Sequence, residues 1–190
     1  MGIPFGRTLV LLLLVGLGLG FALSGARLEA WHSLLPFFEW METTVFGVIG
    51  KTWGGAFALV QAFHLLSMAL LGGAVLASDG RLLGVVLRDQ PLAAVLEQSH
   101  RVFVWSLFVV IATGVFMACG VAVKVYYLPV FWYKMLALLV GVLFVFLVRR
   151  PLLADDPDTL SLFTRRVVGI ASIMVWFTVA ATGRWIGFSG

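Results

Sequence analysis

Charge is what this sequence has least of. Only 12% of its 190 residues are Asp, Glu, Lys or Arg and 62% are hydrophobic, whereas a soluble domain is about a quarter charged and about half apolar. Mean hydropathy is +1.08, and no polar stretch is long enough for a separate soluble domain. One cysteine, Cys119, excludes an intramolecular disulfide and any multi-cysteine zinc or iron–sulfur centre; it reads as packing material in a helix. The apolar runs lack the alternation of a barrel strand, which excludes a transmembrane β-barrel. Phosphate-binding loops, nucleophile–His–acid arrangements and paired carboxylates are missing as well. No Asp or Glu falls inside any apolar run, which argues against ion-coupled transport. The formal charge of +4 comes from basic residues in short loops beside hydrophobic runs, so it speaks of membrane topology and not of nucleic acid.

What is present is an all-α integral membrane bundle. Five runs, roughly 8–24, 53–77, 102–122, 131–148 and 167–187, match the roughly 20 residues that cross a bilayer as helix. Residues 1–26 form an N-terminal transmembrane anchor, retained from Met1 in preference to a cleavable signal peptide; 27–52 form a periplasmic interfacial segment and 53–190 a four-helix transmembrane bundle. Arg7, Arg81, Arg88, Arg101, Arg149, Arg150, Arg165 and Arg166 fall on one side. The positive-inside rule puts that side in the cytoplasm, with the N-terminus in and the C-terminus out.

Between the first two runs, "RLEAWHSLLPFFEWMETTVFGVIGKTW" is too polar to cross but rich in aromatic residues. It predicts an amphipathic helix in the outer interface, bent at Pro36. On the opposite side, "RDQPLAAVLEQSHR" starts a helix after Pro91, and Asp158 or Thr159 is expected to cap the last helix.

Chemistry is concentrated in few residues. His64 lies mid-run, one helical turn after Gln61 and one before Met68, so the three share a face directed into the bundle. Two readings stand: an axial ligand to a b-type haem, with Gln61 as the partner of its other ring nitrogen, or a buried histidine hydrogen-bonded to Gln61, Ser106 or Thr113. His100 and His32 fall roughly 15 Å from its depth on either side, leaving Met68, Met117 or Met135 as a sixth ligand, or a five-coordinate haem. Lys134 and Arg184 lie just inside the outer ends of their runs and together suit an anionic or carbonyl group: haem propionates, a lipid headgroup or a quinone. Snorkelling to the interface is the alternative for each. Asp79 and Arg81 are expected to form a surface turn with a salt bridge.

Three blocks, "QAFHLLSMALLGGAVLASDGRLLG", "YYLPVFWYKMLALL" and "RRVVGIASIMVWFTVAATGRWIGF", resemble in order the recurring blocks of DUF6644, a family of small bacterial inner-membrane proteins, over roughly residues 40–188. Gly80 departs from the leucine usual there. A more distant similarity, to CopD-type and cytochrome b561-like bundles, lies in the His-Leu-Leu element and the later helix that starts with aromatic residues and Lys134; it implies haem at His64. The expected function is a small redox or cofactor-binding membrane subunit holding haem b or quinone with His64, Gln61, Met68, Lys134 and Arg184, the metal ligand being His64. Rival expectations are a non-catalytic subunit of a larger complex or homo-oligomer and, less favoured, copper or small-solute passage using Met68, Met117 and Cys119 as soft ligands.

Overall fold

The computed structural model describes residues 5–154 and 157–189, and all its regular elements are helical. In order they are α1 (Phe5–Leu23), α2 (Ala26–Thr43), α3 (Val45–Thr52), α4 (Gly54–Leu83), α5 (Leu92–Gly120), α6 (Ala122–Tyr126) and α7 (Pro129–Leu143). A π-helical turn, Phe144–Arg149, then leads to α8 (Arg150–Leu153), a 3₁₀ turn (Pro157–Thr159) and α9 (Leu162–Ile186). Among the described residues four helices are long and apolar enough to cross a membrane: α4, α5, α9 and the continuous run Pro129–Leu153. The 30 residues of α4 rise about 45 Å, more than the hydrocarbon core needs. The first expected run coincides with α1, which touches α2 and the Phe144–Arg149 turn. The side chains of Arg7 and Arg27, which the topology reading uses, lie outside the described residues.

Element ends follow local chemistry. α4 stops where Gly84 takes a left-handed φ of 73°, and the Gly84 and Val85 amides fold back onto the Arg81 and Gly80 carbonyls; a side chain would be strained there. α5 begins directly after Pro91. The cap of α9 is neither Asp158 nor Thr159 but Ser161, whose hydroxyl accepts from the Thr164 amide at 3.1 Å. The intervening 3₁₀ turn moves the helix start two residues on. Pro151 explains the π turn: it has no N–H to offer the carbonyl four residues back and its ring crowds that carbonyl. The wider turn before it absorbs the conflict and re-aims Arg149 into the bundle.

In lipid, helices associate through close packing and hydrogen bonds and not by escaping water. α4 pairs with α5, α7 pairs with α9, and α4 joins α9. The two pairs meet at the end where the 84–91 and 154–161 connections lie, the loop end. There Leu82, Leu92, Leu96, Leu153 and Val168 are buried together. Higher up, Leu71, Val75, Phe103, Leu107, Val145 and Trp176 form a second core. Beyond Trp176 the pairs part, and α2, α3 and α6 cover the opposite end, the cap end.

The cap is built on α2, where the sequence predicted an interfacial helix; α2 is continuous through Pro36 and followed by α3. Trp31 and Phe38 of α2 pack on Tyr126 of α6 with ring centroids 4.7 and 5.3 Å apart, and the Tyr126 hydroxyl donates to the Trp31 carbonyl. A Cβ on Gly50 of α3 would stand 3.1 Å from the Gly120 Cα, so this contact requires glycine. Glu42 accepts from the Lys51 ammonium and, at 2.9 Å, from the Val123 amide. Burial works to raise the Glu42 carboxyl; these two donors outweigh it and leave it below the usual carboxylate range.

Candidate functional site: an apolar cleft holding His64 and Lys134

Where the helix pairs part, they enclose a cavity of about 640 Å³, within the range of small-molecule and cofactor sites. Its walls come from α4, α5, α7 and α9, and Leu34, Phe37, Phe38 and Met41 of α2 roof it. Leu76, Ile111, Val115 and Phe177 on its rim are exposed on the outer surface of the bundle, so the cleft opens sideways towards lipid as well as under the cap. The lining is almost wholly apolar; His64 and Lys134 supply its titratable groups.

His64, 7% exposed, is set by its neighbour on α5. Its Nδ1 lies 2.8 Å from the Thr113 hydroxyl, and that hydroxyl donates its single hydrogen to the Val109 carbonyl. The hydroxyl oxygen must therefore accept from Nδ1–H, which leaves the lone pair on Nε2. Nε2 has no hydrogen-bond partner among the described residues. Gly114 lies beside the ring, and a Cβ there would stand at van der Waals distance, 3.4 Å, from the imidazole Cε1. A neutral imidazole with one nitrogen anchored and the other free is the arrangement found in metal-ligating and proton-accepting histidines.

Lys134 enters from α7, its stem against Gly183 of α9, where a Cβ would meet the ammonium at 3.4 Å. It has no hydrogen bond or ion pair among the described residues and shares the cleft lining with His64. An ammonium in apolar surroundings without a counter-charge is costly, and an acceptor on a ligand removes that cost.

The other expected site residues divide. Met68 and Met135 line the cleft. Gln61 is exposed and outside it, so Thr113 holds the nitrogen that Gln61 was expected to hold; helical spacing placed Gln61 on the His64 face, but cross-helix packing chose the partner. Arg184 is exposed and lies over the Phe188 ring at 4.5 Å, so it does not join Lys134. Met117 is outside the cleft and Cys119 is buried elsewhere. No group of three or more His, Cys, Asp or Glu able to hold a metal occurs among the described residues.

Below the cleft, one sequence expectation is overturned. Asp79 does not pair with Arg81 at the surface. It is 0% exposed and receives Arg149 Nη2 at 2.7 Å and Nε at 3.2 Å, while Arg81 donates to the Gln90 carbonyl. The membrane-length helices also extend past the apolar runs to carboxylates: α4 runs to Leu83 and includes Asp79, and α5 includes Glu97. The hydropathy signal ends before the helices do. Nothing in the local sequence marks Arg149 as buried; the re-aiming π turn only Pro151 hints at. Arg149 also donates to Ser78 at 2.8 Å, and Ser172 and Ser99 are buried nearby.

No curated protein and no solved structure matches the chain. A family model does match, over residues 37–189, which takes in every helix from the second half of α2 to α9 and every residue of the cleft except Leu34. With most of its length accounted for in this way, the chain belongs to DUF6644, a family of unknown function.

Proposed function

We propose that the protein is a small membrane subunit that takes a lipid-soluble redox cofactor into the cleft, best a quinone. One observation carries this: the two titratable side chains on an otherwise apolar 640 Å³ lining are a free donor, Lys134, and a free acceptor, His64 Nε2. When bound, a quinone supplies a two-electron, two-proton couple. Lys134 would donate to a ring carbonyl oxygen, His64 Nε2 would accept the proton of a ring hydroxyl, and Thr113 would hold His64 in the accepting tautomer. The apolar walls exclude water, and the lateral opening admits an isoprenoid tail from the bilayer. The α2 roof keeps the head from the interface.

Haem b is the second reading, favoured by the free Nε2 with Met68 and Met135 on the same lining. His64 would be the axial ligand and Lys134 the anchor for a propionate. The residues fit at one axial position; His100 lines the separate polar pocket beneath Trp176 and does not line this cleft. Membership of a larger complex, without its own cofactor, is the third outcome the experiment distinguishes.

The topology reading belongs here too. The loop end carries Arg81, Arg88, Arg101, Arg150, Arg165 and Arg166, and the cap end chiefly Lys51 and Lys124. This supports a cytoplasmic loop end and an outer-facing cap in a bacterial inner membrane. The contacts of α1 with both α2 and the π turn support a fifth crossing with the N-terminus inside.

Protein purified in mild detergent from cells replete in quinone and haem decides the reading. Solvent-extractable quinone in near-equimolar amount, lost in His64→Ala and Lys134→Met, is the expected result. A Soret band that needs His64 moves the assignment to haem. Neither cofactor, together with no uptake of added quinone, overturns it.

A further inference from the structure

On the far side of the Trp176 ring from the cleft is a second cavity of about 10 Å³, lined in part by Ser78, Ser99, His100, Arg149, Ser172 and Trp176. Its volume is about that of one water, and polar side chains share its lining with Ala74, Val75, Phe103 and Val145. Two ring nitrogens of this lining, His100 Nδ1 and Trp176 Nε1, are enclosed without a hydrogen-bond partner among the described residues; so is the adjoining Asp79 Oδ2. Buried polar atoms are rarely left so, and a water with two to four such partners is the usual remedy. His100 is half-buried between Phe103 and Phe146. Its Nδ1 is enclosed while the residue as a whole is partly exposed, so the imidazole stands between the pocket and the loop-end surface.

We propose that this pocket holds one ordered water and that His100, hydrogen-bonded to it, is a proton-binding site of the bundle. Nδ1–H and the Trp176 indole N–H donate to the water oxygen, and the water donates to serine hydroxyl oxygens. Nε2, left with its lone pair, takes the proton from the loop-end side; one N–H bond forms and nothing else is displaced. The charges around it come from each packed element. α5 brings Glu97 and Arg101, and α8 brings Arg150, paired to Glu97 at 3.0 Å. The π turn brings Arg149 and α4 brings Asp79, paired at 2.7 Å. From α9 only Ser172 and Trp176 line the pocket. Asp79 and Glu97 favour the imidazolium and the guanidiniums oppose it, so removing either carboxylate lowers its proton affinity. Because Trp176 lines both cavities, a proton here favours a more negative occupant of the cleft, and the converse follows by reciprocity. That last consequence rests on the cofactor reading; the proton site does not.

Nitrogen-resolved NMR of imidazole and indole groups in lipid nanodiscs tests the site without any cofactor, with Trp176→Phe assigning the indole signal. The His100 ring and the Trp176 indole are expected to shift with one common midpoint. His100→Gln abolishes the indole shift, and Glu97→Gln, at an exposed pair that folding does not need, moves the midpoint to lower pH. An indole signal insensitive to pH, or titrating unchanged in His100→Gln, overturns the proposal. Failure to bind quinone with this titration intact overturns the cofactor reading alone.

Discussion

The two ends of this bundle handle buried charge in opposite ways. At the loop end Arg149 and Asp79 lie together within 2.7 Å, with Ser78 on the same guanidinium, and leucines close over them. At the cap end Lys134 and His64 face an open apolar volume, and neither Lys134 Nζ nor His64 Nε2 finds a partner among the described residues. Charge that is paired inside the fold serves the fold; charge left unpaired where helices diverge is available to something else. The same contrast shows in packing, since the helix pairs interlock around Trp176 and then separate.

Breaking the ion pair at the loop end should cost most. Asp79→Ala leaves Arg149 buried without its partner and is expected to destabilise by about 3–5 kcal/mol, whereas the double replacement Asp79→Leu with Arg149→Met should recover most of that loss; thermal unfolding in detergent measures both. At the open end the order reverses. Lys134→Met removes a charge-assisted hydrogen bond to the ligand, about 1.5–3 kcal/mol or roughly ten- to hundredfold in quinone Kd, while the ligand-free protein keeps or gains stability. Thr113→Val frees the His64 ring and should weaken binding by about 1 kcal/mol, roughly fivefold, with little change in unfolding temperature. The smallest effect lies in the cap. The Glu42 carboxyl is held below its ordinary range, so its contribution is complete above that range and fades as pH falls through the lowered value. Proteolytic protection of α2 should drop on acidification in the wild type and respond less in Glu42→Gln.

Helix type was legible because about 20 apolar residues in a row have few other uses in water or lipid. A helix between the first two runs was legible from aromatic residues set among charges. His64 and Lys134 stood out for the same reason in reverse, as polar groups where polarity is expensive. Partners were only partly legible. Thr113 was one of three candidates for the His64 ring, and its choice over Gln61, one turn away in sequence, was made by how two helices face each other. The Asp79–Arg149 pair joins residues 70 positions apart through a π turn whose only trace in the sequence is Pro151. Arg184 looked equivalent to Lys134 by depth, and depth says nothing about which side of a helix a residue occupies.

The central claim is that the cleft is a quinone site built on His64 and Lys134. Trp132 and Trp176 line it, so a bound quinone should quench their fluorescence. Titrating a short-tailed quinone into the protein in nanodiscs should give saturable quenching in the wild type and at least about tenfold weaker binding in Lys134→Met. Quenching that does not saturate, or an affinity unchanged in the His64→Ala, Lys134→Met double variant, would contradict it.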